Sequence, residues 1–188
     1  MTPDAPDPLA HTRAWVERAV IGLELCPFAR AVQAKGQVRY LLCPARDTDA
    51  LLAVLCNEMQ SLAAADPALT DTTLLIHPHV LTAFADFNDF LGVADLALVQ
   101  LGLEGVLQVA SFHPDYRFAD TPTDDLGNAT NRSPYPTLHL LREASVERAL
   151  KAFPDAEAIY GHNIRRLQQL GAAGWAELQA QCLRDVGA

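Results

Sequence analysis

The chain is short of basic residues, and this shortage excludes two classes of partner. It carries 14 Lys and Arg residues against 23 Asp and Glu residues, which gives a formal net charge of −9 at pH 7. Nucleic-acid binding needs clustered Lys and Arg to neutralise phosphates, and anionic membranes attract polybasic segments. We therefore expect neither nucleic acid nor a membrane surface among the partners of this chain.

Several targeting and cofactor signals are also missing. The N-terminal segment MTPDAPDPLAHTR has no basic start followed by an apolar core, so it does not predict a signal peptide. No apolar run approaches the roughly 18 residues that a membrane-spanning helix needs, and no dinucleotide fingerprint, Walker loop or zinc-ribbon spacing is present. The four cysteines, Cys26, Cys43, Cys56 and Cys182, include no CxxC pair. We expect a cytoplasmic protein with reduced thiols.

Length and composition predict one globular domain. Half of the 188 residues are hydrophobic, which is enough for a sizeable core. Helical and strand-like patterns alternate along the chain, and this alternation predicts an α/β fold. We expect a flexible N-terminus over residues 1–10 and a single α/β domain over residues 11–188. Its sheet should be mixed, mostly parallel and about four strands wide, covered by helices, with the C-terminal helices on one side.

Hydrophobic periodicity and turn residues place the individual elements. The predicted helices cover residues 11–25, 27–35, 48–65, 81–103, 145–153 and 163–186, the last interrupted near Gly171 and Gly174. The predicted strands cover residues 38–43, 72–77, 106–112 and 137–141. A long loop, rather than a helix, joins the last two strands, so these two strands could be antiparallel neighbours.

The most informative segment runs from Ser111 to Glu143. A strand-like run delivers His113 and Asp115, and a long polar loop follows before the next strand. A compact domain seldom keeps such a loop unless the loop has a function or is disordered. The acids, arginines, aromatic residues and prolines of this loop are not the composition typical of a disordered segment. The segment therefore predicts a functional site without showing which reaction it serves.

Three predicted strands end in the same way, with a Cys or His followed by Pro. These final residues are Cys43, His77 and His113. If the strands are parallel, the three residues share the carboxyl edge of the sheet, where open α/β sheets bind ligands. Cys and His are zinc ligands, so the pattern predicts a metal site with a divalent transition metal such as zinc as cofactor. The alternative is that each proline simply terminates its strand.

The catalytic candidates are His113, Asp115 and Cys26. His113 would be a general base or a metal ligand, and Asp115 would orient it or act as an acid. Cys26 precedes Pro27, which the pattern places at the first position of a helix. A thiol there faces free N–H groups and the positive end of the helix dipole, which favour the nucleophilic thiolate. The alternative is a buried Cys that packs at a helix bend.

The substrate-binding candidates are Asn131, Arg132, Ser133 and Asp124. Arg132 supplies a bidentate fork for a carboxylate or phosphate, and Asn131 and Ser133 supply further donors. Asp124 and its neighbour Asp125 could form an acid–base pair or bind a cation. The alternative is a structural clamp, in which Arg132 pairs with one of these two acids and holds the loop shut.

Four segments carry a family resemblance. They are LELCPFA at residues 23–29, TLLIH at 73–77, EGVLQVASFHPDYRF at 104–118 and TNRSPYPTLHLLREAS at 130–145. Together they resemble the bacterial family catalogued as domain of unknown function 1415, over roughly residues 12–170. The resemblance implies a stand-alone bacterial protein of about this length. It implies no activity, cofactor or site residue.

Three functions are consistent with these residues. The first is a cytosolic enzyme, a hydrolase or group transferase, that acts on a small anionic metabolite in a pocket of His, Arg, Asp and Cys side chains. The second is a metalloprotein with its Cys and His ligands at the strand carboxyl ends. The third is a non-catalytic small-ligand-binding or assembly module whose loop is a rigid clamp. An exposed apolar patch on the helix that contains Phe84–Leu91 would favour the third.

Overall fold

The structure, a computed structural model, describes residues 6–152 and 156–187. Its helices and strands follow one another along the chain in this order: α1 (Pro8–Trp15), a π-helical segment (Val16–Ile21), α2 (Ala29–Ala34), β1 (Val38–Leu42), α3 (Thr48–Ala64), β2 (Thr72–Ile76), α4 (Phe84–Gln100), β3 (Leu107–Phe112), a 3₁₀ helix (Leu126–Asn131), β4 (Thr137–Arg142), α5 (Glu143–Ala152) and α6 (Ala156–Val186). Among these residues, no helix is long and apolar enough to cross a membrane.

The four strands form one mixed sheet in the order β1-β2-β4-β3. β1 and β2 pair in parallel, whereas β4 pairs antiparallel with both β2 and β3. The α/β class, the mixed sheet and the antiparallel last pair are confirmed, but the prediction of a mostly parallel sheet is wrong. A parallel neighbour requires a crossover, and the loop after β3 instead returns the chain directly as β4. β4 alone runs against the others, so β1, β2 and β3 share one direction.

Helices cover both faces of the sheet, because successive strand residues point to opposite sides. Leu75, Leu138 and Leu140 join one buried cluster with residues of α3 and α4. Leu74 joins a second cluster with residues of α1 and α6. We refer to these two sides as the α3–α4 face and the α1–α6 face.

The helix α3 shows how local sequence sets an element. The Asp47 side chain accepts a hydrogen bond from the Ala50 N–H at 2.8 Å and caps the helix. Leu51, Leu55 and Met59 recur at one-face spacing and are fully buried against the sheet. The helix predicted over residues 48–65 is confirmed by α3 (Thr48–Ala64).

The first helix begins earlier and ends earlier than its hydrophobic pattern predicts. Asp7 caps α1 by accepting a hydrogen bond from the Leu9 N–H at 3.1 Å, so the helix starts at Pro8, inside the segment predicted to be flexible. The remainder of that prediction includes residues 1–5, which lie outside the described residues. The helix continues in π geometry only to Ile21, because Gly22 and a turn follow.

The C-terminal helices also depart from the prediction at their starts. α5 begins at Glu143, so Ser145 lies inside it, and the predicted end at Phe153 lies outside the described residues. Asn163 is inside α6 rather than at its start, and its side-chain amide donates to the Leu25 carbonyl at 2.8 Å. The predicted interruption at Gly171 is confirmed by its φ of 70°.

Candidate functional site

The three predicted metal ligands do lie at one edge of the sheet. Because β1, β2 and β3 share a direction, Cys43, His77 and His113 follow their strands at the same edge. All three are fully buried on the α3–α4 face. β4 lies between β2 and β3, however, so two strand spacings, roughly 10 Å, separate the ends that carry the two histidines.

The structure does not bring these three side chains together as one set of ligands, and metal binding by Cys43, His77 and His113 remains a prediction. Within residues 6–152 and 156–187, no group of three or more His, Cys, Asp or Glu residues could hold a metal ion. The rings of His77 and His113 instead pack on the same phenyl ring, that of Phe87, at centroid distances of 5.7 and 5.1 Å. Cys43 belongs to the same apolar cluster, where burial raises the pKa of its thiol.

Both ring nitrogens of His113 form hydrogen bonds with backbone groups of the protein. Its Nδ1 accepts a hydrogen bond from the backbone N–H of Asp115 at 3.0 Å, and its Nε2 lies 3.2 Å from the Leu81 carbonyl oxygen. A carbonyl only accepts, so Nε2 carries the proton and the ring is neutral. Burial lowers the pKa of His113. The ring therefore ties the end of β3 to the turn that precedes α4.

His77 is held as the opposite tautomer. Its Nδ1–H donates to the Val80 carbonyl at 3.0 Å, which leaves Nε2 as a lone pair. In the part of the chain that the structure describes, this buried atom has no hydrogen-bond partner. Burial, with a smaller effect from His113, lowers the pKa of His77 to about 4. His77 is therefore neutral at physiological pH.

In the structure, Arg132 binds the backbone of the loop. Arg132 donates from Nε to the Tyr116 carbonyl at 3.2 Å and from a terminal nitrogen to the Thr123 carbonyl at 2.7 Å. Its partners are carbonyls rather than the predicted acids. Asp124 is exposed, and Asp125 caps the 3₁₀ helix instead. The guanidinium thus crosslinks both ends of the segment between Tyr116 and Thr123.

Asn131 and Ser133 also bond to nearby backbone. The Asn131 side-chain amide donates to the Ser111 carbonyl at 3.2 Å, and the Asn131 carbonyl accepts the His113 N–H at the same distance. The buried Ser133 hydroxyl donates to the Tyr135 carbonyl at 2.6 Å. The Asn131 bonds fasten the loop to the end of β3, whereas the Ser133 bond is internal to the loop. Substrate binding by Asn131, Arg132, Ser133 and Asp124 remains a prediction.

Asn128 organises the loop, although the sequence pattern marked it only as one polar residue among many. Its side chain is fully buried. The side-chain oxygen accepts from the Phe118 N–H at 3.0 Å and the Thr121 hydroxyl at 2.9 Å, and its amide donates to the Pro122 carbonyl at 2.9 Å. One amide thereby satisfies three groups of the turn, which explains how the loop stays ordered without regular strands.

Cys26 is not at the start of a helix. It lies half-buried in the turn after the π-helical segment, and α2 begins only at Ala29 and spans six residues. The predicted activation by a helix N-terminus is therefore wrong, because Pro27 does not open the helix. The preceding residue, Leu25, is buried on the α1–α6 face, whereas His113 lies on the other face.

A different surface emerges beside β3, at the edge of the sheet. A groove of about 260 Å³ lies there, lined by Asp95, Leu98, Val99, Glu104, Gly105, Leu107, Gln108, Val109 and Glu143. Leu107 and Val109 face α4, whereas Gln108 points to the opposite face. Side chains of both faces can line one groove only along the outer edge of the strand, so the groove follows that edge.

The adjoining face of α4 exposes a stripe of apolar side chains. Val93, Leu96 and Val99 follow one another at three-residue spacing and are 39%, 62% and 52% exposed. Val106, just before β3, is 44% exposed. The opposite side of the helix, which includes Phe87 and Phe90, is buried in the core. The outer stripe is thus not needed to hold the helix on the sheet.

The charged residues that line the groove, Asp95, Glu104 and Glu143, are all acidic. Residues 47–116 contain ten Asp and Glu residues and no Lys or Arg. This stretch includes α3, α4 and most of the groove lining. The hydrophobic pattern missed this surface. The signal that could have found it is the long gap in basic residues together with the exposed stripe.

The comparisons with known proteins return one match. A family model described as "Protein of unknown function (DUF1415)" matches residues 7–177. No curated protein and no solved structure matches the chain.

Replacement of Asn128 by alanine should loosen the loop. The three groups that Asn128 now satisfies would lose their partner, which costs about 2–3 kcal/mol of unfolding free energy. Urea denaturation measures the loss, and hydrogen exchange should accelerate over residues 116–132. The control Asn57→Ala, at an exposed position of α3, should change the unfolding free energy by less than ~0.5 kcal/mol. Equal effects of the two substitutions would contradict this role.

The buried His77 predicts a loss of stability in acid. Its pKa is lowered from 6.5 to about 4 in the folded state, so the unfolded chain takes up the proton more readily. The contribution of neutral His77 to the unfolding free energy is fully present above about pH 6.5. It is lost as pH falls toward 4, by roughly 3 kcal/mol in all. Unfolding free energies measured at pH 7.5 and pH 4.5 should therefore differ less in His77→Gln than in the wild type. The assignment would be contradicted if His77→Gln showed the same difference in unfolding free energy between the two pH values as the wild type. It would also be contradicted if the exposed His79→Gln reduced that difference.

Proposed function

Since this chain belongs to the DUF1415 family of proteins of unknown function, its role has to be argued from its own residues, and we propose that it is a non-catalytic binding module for a positively charged protein partner. The proposed binding surface consists of the exposed stripe on α4 and the groove beside β3. The single observation that carries the proposal is the exposed apolar stripe Val93, Leu96 and Val99 on an otherwise well-packed helix.

An exposed apolar stripe rimmed by polar residues is typical of a protein interaction site. Leu96 is 62% exposed at the centre of the stripe. The exposed acids Asp89 and Asp95 lie on the same helix, so the rim is acidic. Binding interfaces commonly combine such an apolar centre with a charged rim. The arrangement supports a partner that carries both apolar and cationic side chains.

Charge distribution identifies the sign of the partner. Residues 47–116 carry a formal charge of −10, since they contain ten acids and no Lys or Arg, whereas the whole chain carries −9. The rest of the chain is therefore close to neutral, and the negative charge is concentrated on α3, α4 and their connections. Such a field accelerates association with a cationic partner and disfavours an anionic one.

A second copy of this chain is a poorer partner for the same surface. A two-fold symmetric contact places each patch against itself. Asp95, Glu104 and Glu143 would then face identical carboxylates across the contact, which is repulsive. The charge pattern therefore supports a different, basic protein.

The polar groups of the loop also support a non-catalytic function, because many of them are engaged within the protein. The donors of Arg132, Asn131 and Ser133 and both ring nitrogens of His113 form hydrogen bonds within the protein. These bonds support the rigid-clamp interpretation of the loop. Hydrolase or transferase activity on a small anionic metabolite stays a prediction, and the geometry gives it less support than the binding module.

The cellular context is part of the proposal. All four cysteines are free thiols rather than disulfides. Free thiols, buried in the case of Cys43 and Cys182, support a cytoplasmic location. A bacterial source is proposed from the family resemblance.

A cationic probe peptide should bind at α4. The probe is a fluorescein-labelled peptide of about ten residues in which Lys alternates with Val, and fluorescence anisotropy measures its affinity. Leu96→Ser and Asp95→Asn should each weaken binding about fivefold or more, because they remove the apolar centre and one acid of the rim. Binding should also weaken as ionic strength rises.

Matched variants on the opposite face are the controls. Leu183→Ser removes a similarly exposed leucine of α6, and Glu17→Gln removes an acid of the π-helical segment. Both should bind the peptide within twofold of the wild type, and a peptide with Glu in place of Lys should not bind. Absence of binding by the Lys peptide, or unchanged binding by Leu96→Ser, would overturn the proposed function.

A further inference from the structure

We propose that the partner binds in extended form, as an additional β-strand on the outer edge of β3. This inference rests on the proposed function and adds the conformation and sequence pattern of the partner. An added strand gains affinity from backbone hydrogen bonds and specificity from alternate side chains. The pattern expected here is a Lys or Arg alternating with apolar residues.

The hydrogen-bond alternation of the sheet shows which backbone groups of β3 point outward. The Glu143 N–H donates to the Val106 carbonyl at 3.0 Å, so this pair is a hydrogen-bonded one. In an antiparallel ladder, hydrogen-bonded and non-hydrogen-bonded pairs alternate. The even-numbered residues of β3 therefore bond to β4, and the backbone groups of Leu107, Val109 and Ser111 point away from the sheet.

Each end of this edge is already partly occupied. The Leu107 N–H donates to the Leu103 carbonyl at 3.0 Å, and the Ser111 carbonyl accepts from the Asn131 side chain at 3.2 Å. Between them, Val109 directs its N–H and C=O away from β4, and neither group bonds to backbone outside the sheet within the described ranges 6–152 and 156–187. One residue of an added antiparallel strand can satisfy both groups. The open length therefore fits a short strand centred on Val109.

The groove provides the chemistry that selects such a strand. It runs along the same outer edge, with Val99 and Leu107 as apolar lining and Asp95, Glu104 and Glu143 as its charged groups. Side chains of an added strand alternate between two faces. Apolar side chains on one set of positions pack against Val99 and Leu107, beside Asp95 of α4. Lys or Arg on the other set faces the side of the sheet on which Glu143 lies.

The opposite edge of the sheet lacks this chemistry. On β1, Arg39 is paired with Glu58 at 2.8 Å, and the Arg13 guanidinium lies 4.1 Å from the centroid of the Tyr40 ring. The charge of Arg13 disfavours a cationic strand there. By the alternation of a parallel pair, the Tyr40 amide points outward from β1, because the Cys43 N–H bonds inward to Ile76. The Tyr40 amide is therefore the matched reference for the Val109 amide.

Two forms of the probe peptide test the inference. In one form every odd-numbered amide is N-methylated, and in the other every even-numbered amide is. Successive N–H groups of a strand point to opposite edges, so only one form loses the hydrogens that face β3. We expect one form to bind at least about tenfold more weakly than the unmodified peptide and the other to bind within about threefold.

Hydrogen exchange at single residues provides the second readout. Saturation with the unmodified peptide should slow exchange of the Val109 amide at least about tenfold and leave the Tyr40 amide unchanged. Equal affinities for both methylated forms, with no slowing at Val109, would overturn strand addition while Leu96→Ser still weakens binding and upholds the proposed function. Absence of binding by the unmodified peptide would overturn both.

Discussion

The position of β4 is the constraint on which the rest of the structure depends. The chain leaves β3, passes through an ordered loop and returns antiparallel between β2 and β3. This insertion separates His113 from His77 by two strand spacings, so the three Cys and His strand ends share an edge without converging on one point. It also leaves β3 at the edge of the sheet beside α4, where a groove and unpaired backbone groups result.

The loop explains why the insertion is stable. Asn128 and Arg132 satisfy carbonyl, amide and hydroxyl groups of a segment that has no strand partner, and Asn131 ties that segment to β3. Buried polar groups need such partners, because each unsatisfied group costs free energy comparable to a lost hydrogen bond. The polar loop residues that the sequence pattern predicts to be functional thus largely stabilise an irregular turn. The exposed groups of the proposed binding surface lie elsewhere, on α4 and along β3.

Much of the fold was predictable from local physics, but the site was not. Hydrophobic periodicity predicted α3, and Pro after Cys43, His77 and His113 located the strand ends. The strand order could not be predicted, because the length of a loop does not specify whether the next strand pairs with the outer edge of β3 or lies between β2 and β3. The helix start predicted at Pro27 was wrong, because the chain turns through Pro27 and Phe28 and α2 begins only at Ala29.

The central claim is that this protein binds through α4 and β3 rather than through the loop that follows β3. The most direct measurement is a titration of the uniformly ¹⁵N-labelled protein with the alternating Lys–Val peptide, followed by backbone amide chemical shifts. The account predicts that the largest shifts concentrate between Val93 and Val109, with Glu143 among them. Shifts concentrated between His113 and Pro136, with α4 unchanged, would contradict it and return attention to the loop as a binding site.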